Sequence, residues 1–430
     1  MLKFNRPTPV ASAAIAVVVA LAFIFVVQRE TAVARASIAS LSEIERALEQ
    51  EVDAGLRAGF VAGVVKGDGV KYETAVGYAN RESKNPMTLS TRFRIASMTK
   101  PIVTAAVMQL VERGKLSLDE PVSKFVPAFK NSRVALSEEP GPDGIIETRA
   151  PAREITVRDL LTHMAGIGYV FSEETTLDRM YRQSVSRREG LTLDDLAARL
   201  AAIPLYADPG AEWRYSFSID IAGLVVEKAG GLPLEEFVQR NLLEPLGMTQ
   251  TEFIIGSEDL DRAAVIYEFD NAGVMQPAAG DDIFGSPNSE GFGLAMGGGG
   301  LISTLDDYLR FCRMMLRGGE LGGVRVLSEN TVKEMMSGQL GSGDATQLWE
   351  HDYATFGFGG IVVTDPARAD IVAAKGEWGW SGYWDTWFVI DPADDVAVVL
   401  LAQTQSGPHM PPSNARTTVK EIAYKYARTR

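Results

Sequence analysis

Short apolar runs near the two ends of the chain predict strands, whereas the long stretch between them has the spacing of helices. Near the N-terminus, residues 60–66 and 70–77 are predicted as two strands, and residues 67–69 (Gly-Asp-Gly) favour a tight hairpin between them. Near the C-terminus, residues 386–390 and 395–401 form a second pair around a turn rich in Asp and Pro. This arrangement predicts an α/β (α+β) fold, with one antiparallel sheet built from both chain ends and flanked by helices.

Apolar residues at helical spacing predict helices before, between and after these strands. The predicted helices cover residues 41–57, 97–114, 155–164, 191–203, 219–229, 305–316 and 415–426. Three of them fall within residues 115–289, which we expect to form a helical insert. That insert would lie beside a sheet part made of residues 41–114 and 290–430.

The N-terminal segment has the charge order of an export signal. Two basic residues precede an apolar run without a charge from Val10 to Val27, and Ala32-Val33-Ala34 offers a small-residue cleavage site. The run is also just long enough to span a membrane. We therefore predict that residues 1–34 are a cleaved signal peptide or a retained inner-membrane anchor. Residues 35–430 would then form a domain in the periplasm or another extracytoplasmic space.

The composition argues against several classes of function. The 42 basic and 56 acidic residues give a net charge of −14, which disfavours nucleic acid and anionic membrane surfaces as partners. Cys312 is the only cysteine and is expected in the core, so no intramolecular disulfide or cysteine-based metal site can form. The three histidines are not spaced as a metal pair. We predict neither a metal nor a cofactor.

The clearest candidate for chemistry is a serine three residues before a lysine, at the start of a predicted helix. Ser97 and Lys100 would share one helical face, so the amine can reach the hydroxyl, which is a weak nucleophile without help. Pro101 places the helix start near Ser97, because proline is tolerated in a first turn and disfavoured deeper in a helix. These residues alone fit equally well a capping serine and a solvated lysine, so the motif needs support from the rest of the chain.

The sequence around this pair resembles a known superfamily. Residues 93–102 are similar to the first motif of the serine β-lactamases and penicillin-binding proteins, and Ser-Met-Thr-Lys-Pro-Ile is closest to the class C branch and the family VIII carboxylesterases. Residues 155–166 and 299–316 are also similar to stretches common in that superfamily. The resemblance covers roughly residues 44–427 and implies a β-lactamase/transpeptidase-like fold, with a helical subdomain beside the sheet.

The resemblance also points to further site residues. Tyr215 matches the tyrosine of the second motif, Tyr-x-Asn, although Phe217 stands where that motif has asparagine. Trp380, Ser381 and Gly382 match the third motif, which is Lys-Thr-Gly in β-lactamases and usually Trp-Gly-Gly in the esterase branch. These three residues and Phe217 are expected to contact the substrate.

Two departures from the β-lactamase motifs favour esters as substrates. Trp380 replaces a lysine that would bind the carboxylate of an antibiotic, and Phe217 replaces an amide donor. Each lost polar contact should cost on the order of 1–3 kcal/mol of recognition. The remaining aromatic rim of Phe217, Trp380, Tyr383 and Trp384 suits a neutral ester better than an anionic antibiotic.

The resemblance implies acyl transfer through a covalent serine intermediate. Ser97 would attack the carbonyl carbon, helped by Lys100 as base or activator and by Tyr215 as base and acid, and the choice of base is left open. The backbone N–H groups of Ser97 and Tyr383 would form the oxyanion hole. His163 is expected to be a structural histidine.

The leading hypothesis is a serine hydrolase of carboxylesterase type that acts on a small-molecule ester. The same site fits an acyltransferase, an amide hydrolase, a β-lactamase or a D-amino peptidase, each with an ester or amide substrate. A catalytically silent penicillin-binding-like protein is an alternative from a different class. The presence of Ser97, Lys100 and Tyr215 together argues against that last alternative.

Overall fold

The structure of the protein is a computed structural model. It describes residues 41–185, 190–253, 257–279, 294–341 and 353–429. The predicted leader, residues 1–34, lies outside these ranges. Within them, no helix is both long and apolar enough to cross a membrane.

One antiparallel sheet of eight strands forms the centre of the molecule. Its strands are β1 (Gly59–Lys66), β2 (Val70–Asn80), β3 (Asn85–Pro86), β4 (Ala354–Phe356), β5 (Ile361–Val363), β6 (Trp378–Gly382), β7 (Thr386–Asp391) and β8 (Val396–Leu401). Their order across the sheet is β4-β5-β6-β7-β8-β1-β2-β3, so the two chain ends meet where β1 pairs with β8. The predicted α/β (α+β) fold, with its sheet built from both chain ends, is confirmed.

Helices cover both faces of this sheet and fill the sequence between its two halves. The described α-helices of five residues or more are α1 (Glu43–Asp53), α2 (Thr99–Glu112), α3 (Val157–Leu161), α4 (Thr176–Ser184), α5 (Leu193–Ala201), α6 (Ser218–Gly230), α7 (Leu234–Val238), α8 (Leu305–Leu316), α9 (Glu329–Met335) and α10 (Ala415–Arg428). Short strands pair outside the sheet: Phe93–Arg94 with Ile302–Ser303, Val134–Ala135 with Thr148–Arg149, Tyr267–Phe269 with Met275–Pro277, and Glu320–Leu321 with Val324–Arg325.

Threonine residues fix the starts of three short helices in the middle of the chain. Thr156, Thr175 and Thr192 each accept a hydrogen bond from the backbone N–H of an aspartate three residues later, and the aspartate accepts one from the threonine N–H in return. Such a reciprocal cap satisfies backbone donors that the first turn of a helix leaves unpaired. These caps explain where α3, α4 and α5 begin, although α4 is absent from the sequence prediction.

The central strand β1 is buried on both faces. Val61 and Val65 belong to the main core, which includes residues of α2 and α8, whereas Phe60 and Val64 pack in a second core with residues of α1 and α10. Successive side chains of a strand point to opposite faces, so a strand covered on both sides is apolar throughout. The sheet is therefore a middle layer between two sets of helices.

The predicted elements differ from the observed ones at helix starts, in short strands and in three helices, α4, α7 and α9, which were not predicted. The helix predicted from residue 97 begins instead at Thr99, after one 3-10 turn. β4 and β5 were not predicted, because three residues are too few to show an alternating pattern. The division into a sheet part and a helical insert at residues 115–289 stays a prediction, since its second boundary lies outside the described ranges.

Candidate active site

Ser97 lies in a single 3-10 turn that leads directly into α2. Ala96 has a φ of +45°, in the left-handed region that a residue with a Cβ seldom adopts, so the chain turns sharply just before Ser97. The Met98 N–H donates to the carbonyl of Ile95 (3.0 Å), and the Tyr308 hydroxyl donates to the carbonyl of Met98 (2.9 Å). The turn is thus held in place from its own backbone and from α8.

Lys100 lies in the first turn of α2 and is completely buried. Its Nζ donates to the Ser97 Oγ over 3.2 Å and to the backbone carbonyl of Gly298 over 2.5 Å. The glycine carbonyl therefore holds the amine at the serine hydroxyl. This is the proximity that the three-residue spacing predicts, and the roles of the two side chains in a reaction stay a prediction.

Tyr215 reaches the same serine from the segment that precedes α6. Its hydroxyl donates to the Ser97 Oγ over 2.8 Å, and its ring lies 4.7 Å from the Lys100 Nζ. The indole N–H of Trp380, on β6, donates to the Tyr215 hydroxyl oxygen over 3.3 Å. The structure thus brings together the four residues Ser97, Lys100, Tyr215 and Trp380 from three separate parts of the chain.

Aromatic side chains from an irregular loop cover this group. The ring of Phe171 is parallel to that of Tyr215, with centroids 6.2 Å apart, and stacks on Tyr383 at 5.8 Å. Phe171 is 51% exposed, whereas Tyr169 is buried beneath it, with its ring 5.5 Å from the Lys100 Nζ. Sequence analysis missed both residues, because no periodic pattern marks a loop; their alternation around Val170 is the one local signal.

Three of the four residues predicted to form the substrate rim are buried, including Trp380, which is 5% exposed and belongs to the main core. Phe217 is 1% exposed and packs on Tyr169, because it is the residue from which α6 starts and its side chain turns inward. Trp384 is 2% exposed and clusters with Ala96 and Ile266 behind the serine turn. The prediction of an open rim is therefore wrong for these three side chains. Phe217 and Trp384 support the site from behind, and Trp380 contacts Tyr215.

Gly382, at the end of β6, lies directly against the Ser97 turn. A Cβ at this position would clash with the carbonyl of Ile95, so only glycine allows the approach. The Thr386 hydroxyl donates to the same carbonyl over 3.1 Å and fixes the contact. This contact brings the backbone that leads into Tyr383 next to Ser97. The oxyanion hole from these two N–H groups stays a prediction.

Ser381 is placed on the other side of β6 from the serine turn. It pairs with Trp387 across the sheet, and alternation along the strand puts its side chain on the face opposite to that of Trp380. There it lines a cavity of about 410 Å³ together with Trp387 and Arg416. The predicted contact of Ser381 with substrate stays a prediction.

His163 is buried directly behind Tyr215. Its Nδ1 lies 2.9 Å from the Ser216 Oγ, and its ring centroid lies 4.7 Å from that of Tyr215. Burial, and secondarily the charge of Lys100, lower the pKa of His163 well below the usual value, so the ring is neutral. This arrangement fits the structural role expected from the sequence.

Asp220 is a buried carboxylate beside the site that the sequence analysis did not identify. It lies on α6, and its Oδ1 accepts a hydrogen bond from the Gly298 N–H over 2.9 Å. Burial raises the pKa of Asp220 to about 6, and the charge of Lys100 opposes that rise. The contact depends on Gly298, which is far away in sequence, so no spacing rule could have found it.

Comparison with known proteins identifies the family to which the chain is similar. Residues 44–421 match the protein family described as Beta-lactamase. Esterase EstB from Burkholderia gladioli is 34% identical over 378 residues, which cover 81% of this chain and 88% of that protein. The superfamily and the esterase-like branch predicted from the motifs are therefore confirmed.

Two solved structures are similar over nearly the whole described fold. EstCE1, described as a hydrolase with promiscuous acyltransferase activity, has a TM-score of 0.73 at 29% identity and covers 90% of this chain and 99% of its own. Simvastatin synthase (LovD) from Aspergillus terreus has a TM-score of 0.76 at 26% identity and covers 90% of this chain and 98% of its own. Hydrolysis and acyl transfer both occur among these similar proteins.

Proposed function

The chain belongs to the β-lactamase family, and we propose that it is a serine esterase that works through an acyl-enzyme on Ser97. The observation that carries the proposal is the environment of one atom. The Ser97 Oγ lies 2.8 Å from the Tyr215 hydroxyl and 3.2 Å from the Lys100 Nζ. A serine with two proton-transferring groups in reach is equipped to act as a nucleophile.

The reaction would proceed in two halves. The Ser97 Oγ attacks the ester carbonyl carbon while its proton passes to the base, and the tetrahedral intermediate collapses as the alcohol leaves with that proton. Water then attacks the acyl-serine, gives its proton to the same base, and releases the carboxylic acid as the proton returns to the serine. Every proton taken up in one half is returned in that half, so the reaction needs no further reactant.

The contacts of Lys100 favour Tyr215 as the group that carries the proton. The Lys100 Nζ faces the Gly298 carbonyl and the rings of Tyr169 and Tyr215, all of which stabilise an ammonium ion. A charged Lys100 would stabilise the Tyr215 oxygen when it has lost its proton and would have no free lone pair to act as a base. The indole N–H of Trp380 would also stabilise the deprotonated Tyr215 oxygen.

The surroundings of the serine favour a neutral ester over a β-lactam. Trp380 stands where β-lactamases have the lysine of their third motif, and it donates to Tyr215 instead of offering a charge to an antibiotic. Phe171 and Tyr383 add apolar surface over the site. Such surfaces favour uncharged acyl and alkyl groups. The name of Esterase EstB supports the same assignment.

Acyl transfer to an alcohol is a second candidate, favoured by the comparisons. EstCE1 is described as having promiscuous acyltransferase activity, and the monacolin J acid methylbutanoyltransferase of Aspergillus terreus is 28% identical over 337 residues. Transfer and hydrolysis share the acyl-enzyme and differ only in whether water or an alcohol attacks it. Adding a primary alcohol to the assay separates them, because transfer produces a new ester instead of the free acid.

The proposal is tested by ester cleavage with a matched serine control. We expect the wild type to cleave p-nitrophenyl butyrate rapidly, to turn over nitrocefin poorly, and to lose ester cleavage in Ser97→Ala. Ser132→Ala is the control, since Ser132 has the same 8% exposure and its hydroxyl, among the described residues, donates to the Phe129 carbonyl of its own turn. Efficient nitrocefin turnover would contradict the substrate argument, and Ser97→Ala with full activity would contradict the nucleophile.

A further inference from the structure

Lys100 is a buried side chain without a carboxylate partner. It is completely shielded from solvent, and among the described residues it makes no ion pair. Its contacts are the Ser97 hydroxyl, the Gly298 carbonyl and two aromatic faces. Burying an unpaired ammonium ion is strongly unfavourable, so the site needs a negative charge close by.

Asp220 supplies a carboxylate at the right place but not in direct contact. It is completely buried, its Oδ1 accepts from the Gly298 N–H over 2.9 Å, and within the described ranges its Oδ2 has no hydrogen-bond partner. Gly298 is the residue whose carbonyl accepts from Lys100 over 2.5 Å. One glycine therefore joins the carboxylate on its N–H side to the amine on its carbonyl side.

The glycine itself is required by this arrangement. A Cβ on residue 298 would clash with the Asp220 carboxylate, and one on residue 297 would clash with the Ile219 carbonyl. The backbone of this segment can therefore lie directly on α6, where its N–H meets the carboxylate. The link between Asp220 and Lys100 is built into the packing of two backbones.

We propose that Asp220 is a positioning residue that acts through Gly298 as the buried counter-charge of Lys100. It keeps the lysine protonated and aimed at Ser97, so that Tyr215 is left to take the serine proton. The catalytic part of this proposal rests on the function proposed above, whereas the electrostatic link between Asp220 and Lys100 does not.

The neighbours of Asp220 leave Lys100 as its charged partner. Helix α6 packs against α2, α3, α5 and α7. Of the groups on these elements, Lys100 on α2 is the one whose charge acts on Asp220, and His163, just after α3, is neutral. Asp194 on α5 pairs with Lys228 at the exposed far end of α6, where Glu227 also accepts from the N–H of Leu234.

The substitution Asp220→Asn separates the charge from the hydrogen bond. The amide oxygen of the asparagine can still accept from the Gly298 N–H. If Asp220 had a purely structural role, this variant would therefore keep wild-type activity. The proposal predicts that kcat/KM for p-nitrophenyl butyrate falls on the order of 10- to 100-fold at pH 8, as is typical for outer partners of a buried reactive group. Asp307→Asn is the control, because Asp307 is another buried carboxylate that accepts from a backbone N–H, that of Gln250.

The pH profile adds a readout that a structural role would not move. Burial raises the pKa of Asp220 to about 6, so the carboxylate is charged above that pH and neutral below it. Wild-type kcat/KM should therefore rise with pH through this range. Asp220→Asn should lack that rise and stay low throughout, whereas Asp307→Asn should follow the wild type. A variant with wild-type kcat/KM and the wild-type rise would overturn the proposal.

A second measurement needs no turnover. With carbon-13-labelled lysine, the Lys100 ε-carbon signal, assigned by its loss in Lys100→Met, reports the charge of the amine. The ammonium of Lys100 should lose its proton at a lower pH in Asp220→Asn than in the wild type or in Asp307→Asn. An unchanged titration would overturn the electrostatic link. If the wild type cleaves no ester while the titration shifts, the proposed esterase fails and the link stands.

Discussion

The molecule buries two lysines in opposite ways. Lys420, on α10, donates directly to the Glu377 carboxylate over 2.6 Å, and the Tyr424 hydroxyl donates to the other oxygen of the same carboxylate over 2.7 Å. Lys100, on α2, instead donates to a glycine carbonyl and a serine hydroxyl. Its candidate counter-charge, Asp220, does not contact it directly but accepts from the N–H of that same glycine, Gly298. Both lysines are buried, so burial alone does not distinguish a structural lysine from a reactive one.

A reactive lysine needs a counter-charge that leaves one of its N–H groups free for the nucleophile. A direct ion pair aims the ammonium ion at a carboxylate and away from a substrate, and removing either partner leaves the other charge buried and uncompensated. A carboxylate held behind a peptide group can balance the charge and still leave one N–H for the nucleophile. The tyrosines beside the two lysines differ in the same way. The Tyr424 hydroxyl donates to a carboxylate, whereas the Tyr215 hydroxyl donates to Ser97.

The largest expected effects come from removing each lysine in turn. Lys100→Met should lower kcat/KM on the order of 10³–10⁴-fold and lower the free energy of unfolding by less than Lys420→Met does, since Lys100 has no direct contact with a carboxylate. Lys420→Met should leave kcat/KM within a few-fold but lower the free energy of unfolding by about 3–5 kcal/mol, because the Glu377 carboxylate stays buried without a positive charge beside it. Urea unfolding and steady-state kinetics on both variants measure this, and the opposite pattern would reverse the assignment.

The matched tyrosines should show a smaller version of the same contrast. Tyr215→Phe should lower kcat/KM on the order of 10²–10³-fold with little loss of stability, because its hydroxyl would carry a proton. Tyr424→Phe should leave activity intact and lower the free energy of unfolding by about 1–3 kcal/mol, since a buried carboxylate oxygen loses one of its two donors and keeps only the Ala374 N–H. A Tyr215→Phe variant with full activity would show that Lys100 takes the proton after all.

Removing the solvent-exposed aromatic ring over the site is expected to change kcat/KM least. Phe171 covers the serine site while 51% exposed, whereas Tyr424 is completely buried beside Lys420. Phe171→Ala should raise KM and lower kcat/KM by about 3- to 20-fold for apolar esters, with kcat little changed, because apolar contact area is lost. Ile145→Ala, also exposed but not assigned to the site, is the control. Equal effects of the two variants would mean that Phe171 does not contact the substrate.

Sequence analysis could find those parts of the site that follow from local geometry. Ser97 and Lys100 are three residues apart at a helix start, so their proximity follows from helix geometry. The strands at both chain ends followed from their apolar runs. Tyr215 came from the resemblance to a family, because its 118-residue separation from Ser97 carries no local signal.

The missed and wrong assignments have one physical cause. Asp220 acts through a glycine 78 positions away, and that contact exists only once α6 and the glycine segment are packed together. Phe217, Trp380 and Trp384 were placed on an open rim, although tertiary packing buries all three. Sequence pattern gives the position of an aromatic residue along an element but not whether another element covers it.

The most direct test of the account is the mass of the protein during turnover. Intact-protein and peptide mass spectrometry of a sample quenched shortly after mixing with p-nitrophenyl butyrate would show any covalent intermediate. The account predicts one butyryl group, on the peptide that carries Ser97, and none in Ser97→Ala. Rapid ester cleavage with the butyryl group on another residue, or with an equal adduct in Ser97→Ala, would contradict the acyl-enzyme on Ser97.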